Sequence, residues 1–260
     1  MNLKIYQVDA FASAIFHGNP AAVCPLEEWL AKEQMQNIAM ENNLAETAFF
    51  VKEEEGYALR WFTPQTEVDL CGHATLASAH VLFEHMGYKK EVIRFHTNSG
   101  ILSVRRKGDQ LTMDFPTAEL NDFEPPAVLE EALRLPPTKV YKDTDILYVV
   151  NNGLQLRNMD PDFRLLKQLN TRGVIVTAPG IGDVDFLSRF FAPAVGVDED
   201  PVTGSAHTML TPYWSKRLGK KRLIGRQISK RGGTVYCEYK GDRVVLSGEA
   251  CTYLEGTILL

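Results

Sequence analysis

The chain has 260 residues, of which 45% are apolar and 23% charged, a balance that fits a folded globular protein and excludes a disordered or fibrous one. Acidic side chains outnumber basic ones by 33 to 28, and the net charge of -5 is spread along the sequence, without the clustered basic surface a nucleic-acid partner needs. Lys4 and Asp9 interrupt the opening MNLKIYQVDAF where a secretory leader needs an unbroken apolar stretch, and no later run reaches membrane-span length, so a cytoplasmic protein with no membrane partner is expected.

The first predicted element is a helix over Glu27–Asn42, with Ala31, Met35 and Ile38 at helical spacing. It leads into NLAETAFF, residues 43–50, where Glu46 stands in an otherwise apolar stretch. A strand over ETAFFV puts Glu46 at its beginning. Gly72 then opens a second helix, apolar or small on nearly every side from Ala74 to Phe83, with Gly87 placed as a C-terminal stop. GILSVRRKGDQLTMDF, from Gly100, alternates about a Gly-Asp turn and reads as a β-hairpin. The Pro-rich FPTAELNDFEPPAVLEEAL from Phe115 is the expected domain boundary.

Beyond it, MDPDFRLLKQL reads as a short helix capped by Asp160 with Pro161 in its first turn, and VIVTAPG from Val174 as a buried strand. PGIGD at 179–183 lacks the third glycine of a dinucleotide loop and reads as a turn. A third long helix opens at Gly204 and closes at Gly219, with Pro212 kinking or breaking it. A second hairpin, GTVYCEYKGDRVVLSG, starts at Gly233.

These elements repeat. Trp61–Gly87 and Phe190–Gly219 each run from an aromatic pair through Thr-Pro or Ala-Pro and an acidic loop to a glycine-opened helix, and each is followed by a hairpin with a Lys-Gly-Asp turn, at 107–109 and 240–242. Mixed α/β architecture in two pseudo-symmetric domains is expected, 1–117 and 118–260, with the last strand able to return to the first domain.

In such a pair the cleft between halves is a natural ligand site, and helix starts offer unpaired N–H groups to a carboxylate. Gly72 and Gly204 let the backbone approach a ligand closely, or serve only tight strand-to-helix turns. Glu46 reads as a surface or cap acid, or as a proton shuttle whose apolar neighbours raise its pKa. His73, in the first turn of the buried helix, can bond a ligand, tune Glu46, or simply sit satisfied at a helix start. Asp200 and Ser205 flank the second helix start, Asp200 in the company of Asp198 and Glu199.

Cys24, Cys71, Cys237 and Cys251 lie far apart and form no CxxC pair, so reduced thiols are expected rather than disulfides or a zinc knuckle. Cys71 beside Gly72 could act as a base. A two-thiol mechanism needs a partner at the equivalent position, which holds Thr203. His73, His80 and His85 can share a helix, yet nothing nearby in sequence completes a metal set, and no metal is expected.

HGNPAAV, NLAETAFF, FTPQTEVDLCGHATLASA and GVDEDPVTGSA together resemble the phenazine-biosynthesis PhzF-like family over essentially the whole chain. The resemblance implies a diaminopimelate epimerase-like fold: two domains, each a mostly antiparallel sheet rolled around a central helix, often paired in a homodimer. It implies a cofactor-free isomerase acting on a small carboxylate, as the best-understood members move a proton between carbons of a dihydro-hydroxyanthranilate ring. Glu46 would be the general acid/base, His73 and Asp200 its polar partners, and Gly72, Gly204 and Ser205 the donors to the carboxylate. Ala45 stands where the phenazine enzymes place a serine, so phenazine synthesis itself is not implied. Two other readings stay open: a racemase or epimerase using Cys71 with Glu46, and a non-catalytic small-acid binder.

Overall fold

The computed structural model describes residues 2–260, and the backbone divides into two units, Met1–Asp114 with Ser247–Leu260, and Phe115–Leu246.

The first unit runs β1 (Asn2–Ala10), β2 (Asn19–Leu26), α1 (Lys32–Asn42), β3 (Glu46–Glu53), β4 (Gly56–Phe62), β5 (Glu67–Val68), α2 (Gly72–Glu84), β6 (Val92–Thr97), β7 (Gly100–Lys107) and β8 (Gln110–Pro116), the last crossing the division of the chain. Strands β2 and β3 pair in parallel, as do β4 and β6, while β1–β2, β3–β4, β6–β7 and β7–β8 are antiparallel. Helix α1 begins later than its periodicity suggests. The chain leaving β2 at Leu26 must reverse before β3 can lie parallel to it, and that connection takes up Glu27–Ala31, with Ala31 at φ -57, ψ 141.

Helix α2 is enclosed on all sides: from His73 to Phe83 every residue but His80 is buried. Its two buried hydroxyls are satisfied within the helix, Thr75 Oγ1 donating to the Cys71 carbonyl at 2.6 Å and Ser78 Oγ to that of Ala74 at 2.8 Å. Small side chains and self-satisfied hydroxyls let strands pack around it without orphaned hydroxyls. Gly87, at φ 66, follows the last turn and lets the Tyr88 N–H return to the Leu82 carbonyl.

The second unit runs β9 (Asn121–Asp122), α3 (Ala127–Leu133), β10 (Lys139–Lys142), β11 (Ile146–Val149), α4 (Gly153–Asn158), α5 (Phe163–Leu166), β12 (Val174–Pro179), β13 (Phe186–Ala192), β14 (Val197–Asp200), α6 (His207–Leu218), β15 (Arg222–Gln227), β16 (Gly233–Tyr239) and β17 (Arg243–Gly248), with β17 reaching the second division point. Its pairing repeats that of the first: β11–β12 and β13–β15 are parallel, β10–β11, β12–β13 and β15–β16 antiparallel. Strand β18 (Ala250–Leu259) then pairs with β1, so the chain's end belongs to the first unit.

Three local details differ from the sequence reading. Helix α5 is capped by Asp162, whose carboxylate accepts from the N–H groups of Arg164 and Leu165; Asp160 lies outside the helix. Pro212 sits inside a continuous α6. The Thr208 carbonyl, which has no N–H to meet four residues on, accepts instead from Ala118 N–H at 3.3 Å. Gly204 does not open α6 directly. A turn of i to i+3 bonds, from His207 N–H to the Gly204 carbonyl and from Thr208 N–H to that of Ser205, leads into a helix starting at His207. Trp214 anchors α6, fully buried, stacked on Phe186 with ring centroids 5.9 Å apart and donating to Thr177 Oγ1 at 3.0 Å. No helix among the described residues is long and apolar enough to cross a membrane.

Candidate active site

In the first unit Glu46 opens β3 opposite Ala21 of β2, with its side chain 19% exposed. His73 comes to it from the first turn of α2, its Nε2 3.1 Å from Glu46 Oε2, a charge contact without the alignment of a hydrogen bond. The other ring nitrogen, Nδ1, lies 3.3 Å from the Asn19 amide and 3.5 Å from the Cys71 sulfur. Sequence spacing brought Glu46 and His73 forward. Asn19 was visible only as part of HGNPAAV, one of the stretches that carry the family resemblance.

The electrostatics of the cluster favour proton movement. Burial alone would hold His73 neutral, but its Cys71 and Glu46 neighbours raise its pKa well above the ordinary histidine value. The pKa of the Cys71 thiol is itself pushed upward, first by burial and then by the Glu46 charge. A charged imidazole can donate from Nδ1 toward sulfur and from Nε2 toward the carboxylate. Ligand atoms of Glu46, Cys71 and His73 lie within 4.8 Å of one another, a donor mixture zinc accepts. The two ring nitrogens face different partners, however, which suits passing a proton through the ring better than gripping one ion. Because burial and the Glu46 charge both disfavour the thiolate, Cys71→Ser is expected to leave turnover within about threefold of wild type, a smaller change than loss of any general acid/base group brings. Steady-state rates of the two proteins check this.

In the second unit Asp200 ends β14 and a turn carries Thr203, Gly204 and Ser205 to α6. Gln227 organises that turn: its Oε1 accepts from Thr203 N–H at 2.9 Å, and its Nε2 donates to the Asp200 carbonyl at 2.7 Å. Thr203 Oγ1 donates to the Asp200 carboxylate, and His207 Nδ1 meets the Thr203 carbonyl at 2.8 Å. Arg172 Nη2 donates to Ser205 Oγ at 2.9 Å. Six residues singled out from sequence thus fall into two groups: Glu46, Gly72 and His73 in one unit, Asp200, Gly204 and Ser205 in the other. Nothing in the sequence around Gln227, His207 or Arg172 marks them.

The chain matches the family model of phenazine biosynthesis-like proteins over residues 8–256. A Pseudomonas aeruginosa protein named as an uncharacterized isomerase is 54% identical over 260 residues, covering all of both chains. The crystal structure of a phenazine biosynthesis protein of the PhzF family from Enterococcus faecalis shares 47% identity, covers all of both chains and superposes with a TM-score of 0.97. A hydroxyproline epimerase from Agrobacterium vitis, at 11% identity and a TM-score of 0.65 over 99% of this chain and 92% of its own, shares the fold. The mixed α/β units, the family match and the isomerase-named relative converge: this chain belongs to the phenazine biosynthesis-like family and is an enzyme of the isomerase class.

Proposed function

We propose that the protein is a cofactor-independent isomerase of a small carboxylate, in which Glu46 takes a proton from one carbon and returns it to another. The observation that carries this reading is the Glu46–His73 contact, a carboxylate at a strand start beside a buried imidazole whose pKa is raised. A base must be ionised before it acts and must hold its proton briefly afterwards. Glu46 lies beside His73 and has the exposure to reach a ligand. The first-turn N–H groups of α2, beginning at Gly72, and the Gly204–Ser205 turn would receive the ligand's negative charge as it develops. Asp200 is assigned a polar contact to the substrate.

The racemase reading, with Cys71 as the second base, is weakened by the burial that disfavours its thiolate. The test is exchange in heavy water. Wild-type protein incubated with a panel of small unsaturated, 2-amino and 2-hydroxy acids, with nothing else added, is expected to wash deuterium into carbon-bound positions of at least one, read by proton NMR. Binding without exchange at any carbon would favour the non-catalytic binder instead.

A further inference from the structure

Arg172 lies between α5 and β12, and its guanidinium is held rigidly. Nε donates to Asp145 Oδ1 at 2.9 Å, Nη2 donates to Oδ2 of the same carboxylate, and the Phe190 ring lies 5.7 Å from the guanidinium carbon. Asp145 is 2% exposed and has Arg172 as its ion-pair partner. Gly173 belongs to the same device: a Cβ there would stand 2.3 Å from the Phe190 ring that backs the arginine. The second hydrogen of Nη2 reaches across to Ser205 Oγ at 2.9 Å.

That contact dictates what the serine can do. Arginine only donates, so the Ser205 oxygen must accept there, and its own hydrogen is free to be given elsewhere. No acceptor for it occurs among the described residues. The guanidinium also polarises the hydroxyl, strengthening it as a donor. The arginine is a poor direct receptor for an anion, because Asp145 neutralises it and the Asp200 charge is near enough to act on it.

We infer that Asp145 and Arg172 are positioning residues that turn the Ser205 hydroxyl into an outward, cation-polarised donor for an anionic oxygen of the substrate. The inference rests on the assignment of Ser205 to substrate binding made above.

The experiment compares 2-aminobenzoate with its uncharged amide, 2-aminobenzamide, each followed by its own fluorescence on titration with the full chain. Wild type is expected to prefer the acid. Ser205→Ala and Arg172→Met should each weaken the acid by about tenfold or more and the amide by clearly less, since a hydrogen bond to a charged partner is the stronger. The double variant should lose no more than either single one, because both act through one hydroxyl. Arg172→Lys, which can still donate, should recover part of the loss. If Arg172→Met fails to fold around the unpaired Asp145, the Asp145→Asn/Arg172→Met pair removes that charge and should show the same acid-specific loss. Absence of any acid preference in wild type, equal weakening of acid and amide, or additive losses would each overturn the inference. Failure of the proton-transfer reading appears in exchange in heavy water, and failure of this one in affinity.

Discussion

Glu46→Gln is expected to keep the fold and to lose carbon–hydrogen exchange by about a hundredfold to ten-thousandfold, the range that one general acid/base group supplies. The substitution preserves size and shape. Backbone pairing of β3 with β2 at Ala21 does not involve the side chain, and Glu46 opens the strand rather than filling its core, so the unfolding midpoint should stay close to wild type. What disappears is the basic oxygen facing His73 and the negative charge that raises the imidazole pKa. A second readout follows from the same change: the His73 titration midpoint, measured by NMR, should fall in the variant, because burial then acts with less opposition. Exchange in heavy water at the wild-type rate would remove Glu46 from the mechanism. A lowered His73 midpoint with exchange intact would leave the electrostatic coupling standing and assign the chemistry elsewhere.

Sequence alone made Glu46 and the helix at Gly72 legible because each breaks a local rule: an acid beside an apolar run, and a glycine before a helix with no polar face. The twofold architecture was legible through its turns, since the Lys-Gly-Asp corners leave the same trace in both halves. The repeat reaches further than those traces. Strand pairings from β1 to β7 recur from β10 to β16 although β2 and β11, or β3 and β12, share no recognisable sequence. Burial, satisfied by many combinations of Val, Ile, Leu and Phe, conserves strand order without conserving side chains.

What stayed hidden depended on distance along the chain. Arg172 and Asp145 are 27 positions apart and Arg172 and Ser205 are 33 apart, and an arginine in a polar loop reads as any surface charge. Either Asp160 or Asp162 can cap a helix beginning near Pro161, and only backbone geometry decides between them. The start of α1 was set too early for a similar reason, as helical spacing persisted into residues that the β2–β3 connection had to use.

Acidification is expected to unfold the protein in a way that His207 accounts for in large part. His207 is completely buried at the start of α6, with Nδ1 bonded to the Thr203 carbonyl, and burial, opposed only weakly by that bond, lowers its pKa from 6.5 to about 4. In the unfolded chain the ring titrates at its ordinary value. Below about pH 6.5 the unfolded state therefore takes up a proton that the folded state refuses until near pH 4, and stability falls across that window as pH drops. At 1.36 kcal/mol per pKa unit the full loss is about 3 kcal/mol, and about 2 kcal/mol of it is reached by pH 5. His80, lowered to about 4 mainly by burial, pulls in the same direction, whereas the raised His73 adds stability below 6.5 that is lost as pH climbs through its folded value. His207→Asn can still donate from its amide toward Thr203 but cannot titrate, so urea unfolding of that variant should show a shallower loss between pH 7.5 and pH 5. The turn that His207 holds carries Gly204 and Ser205, so wild-type affinity for small acids should decline over the same interval. Equal slopes for the two proteins would mean the acid sensitivity originates in other groups.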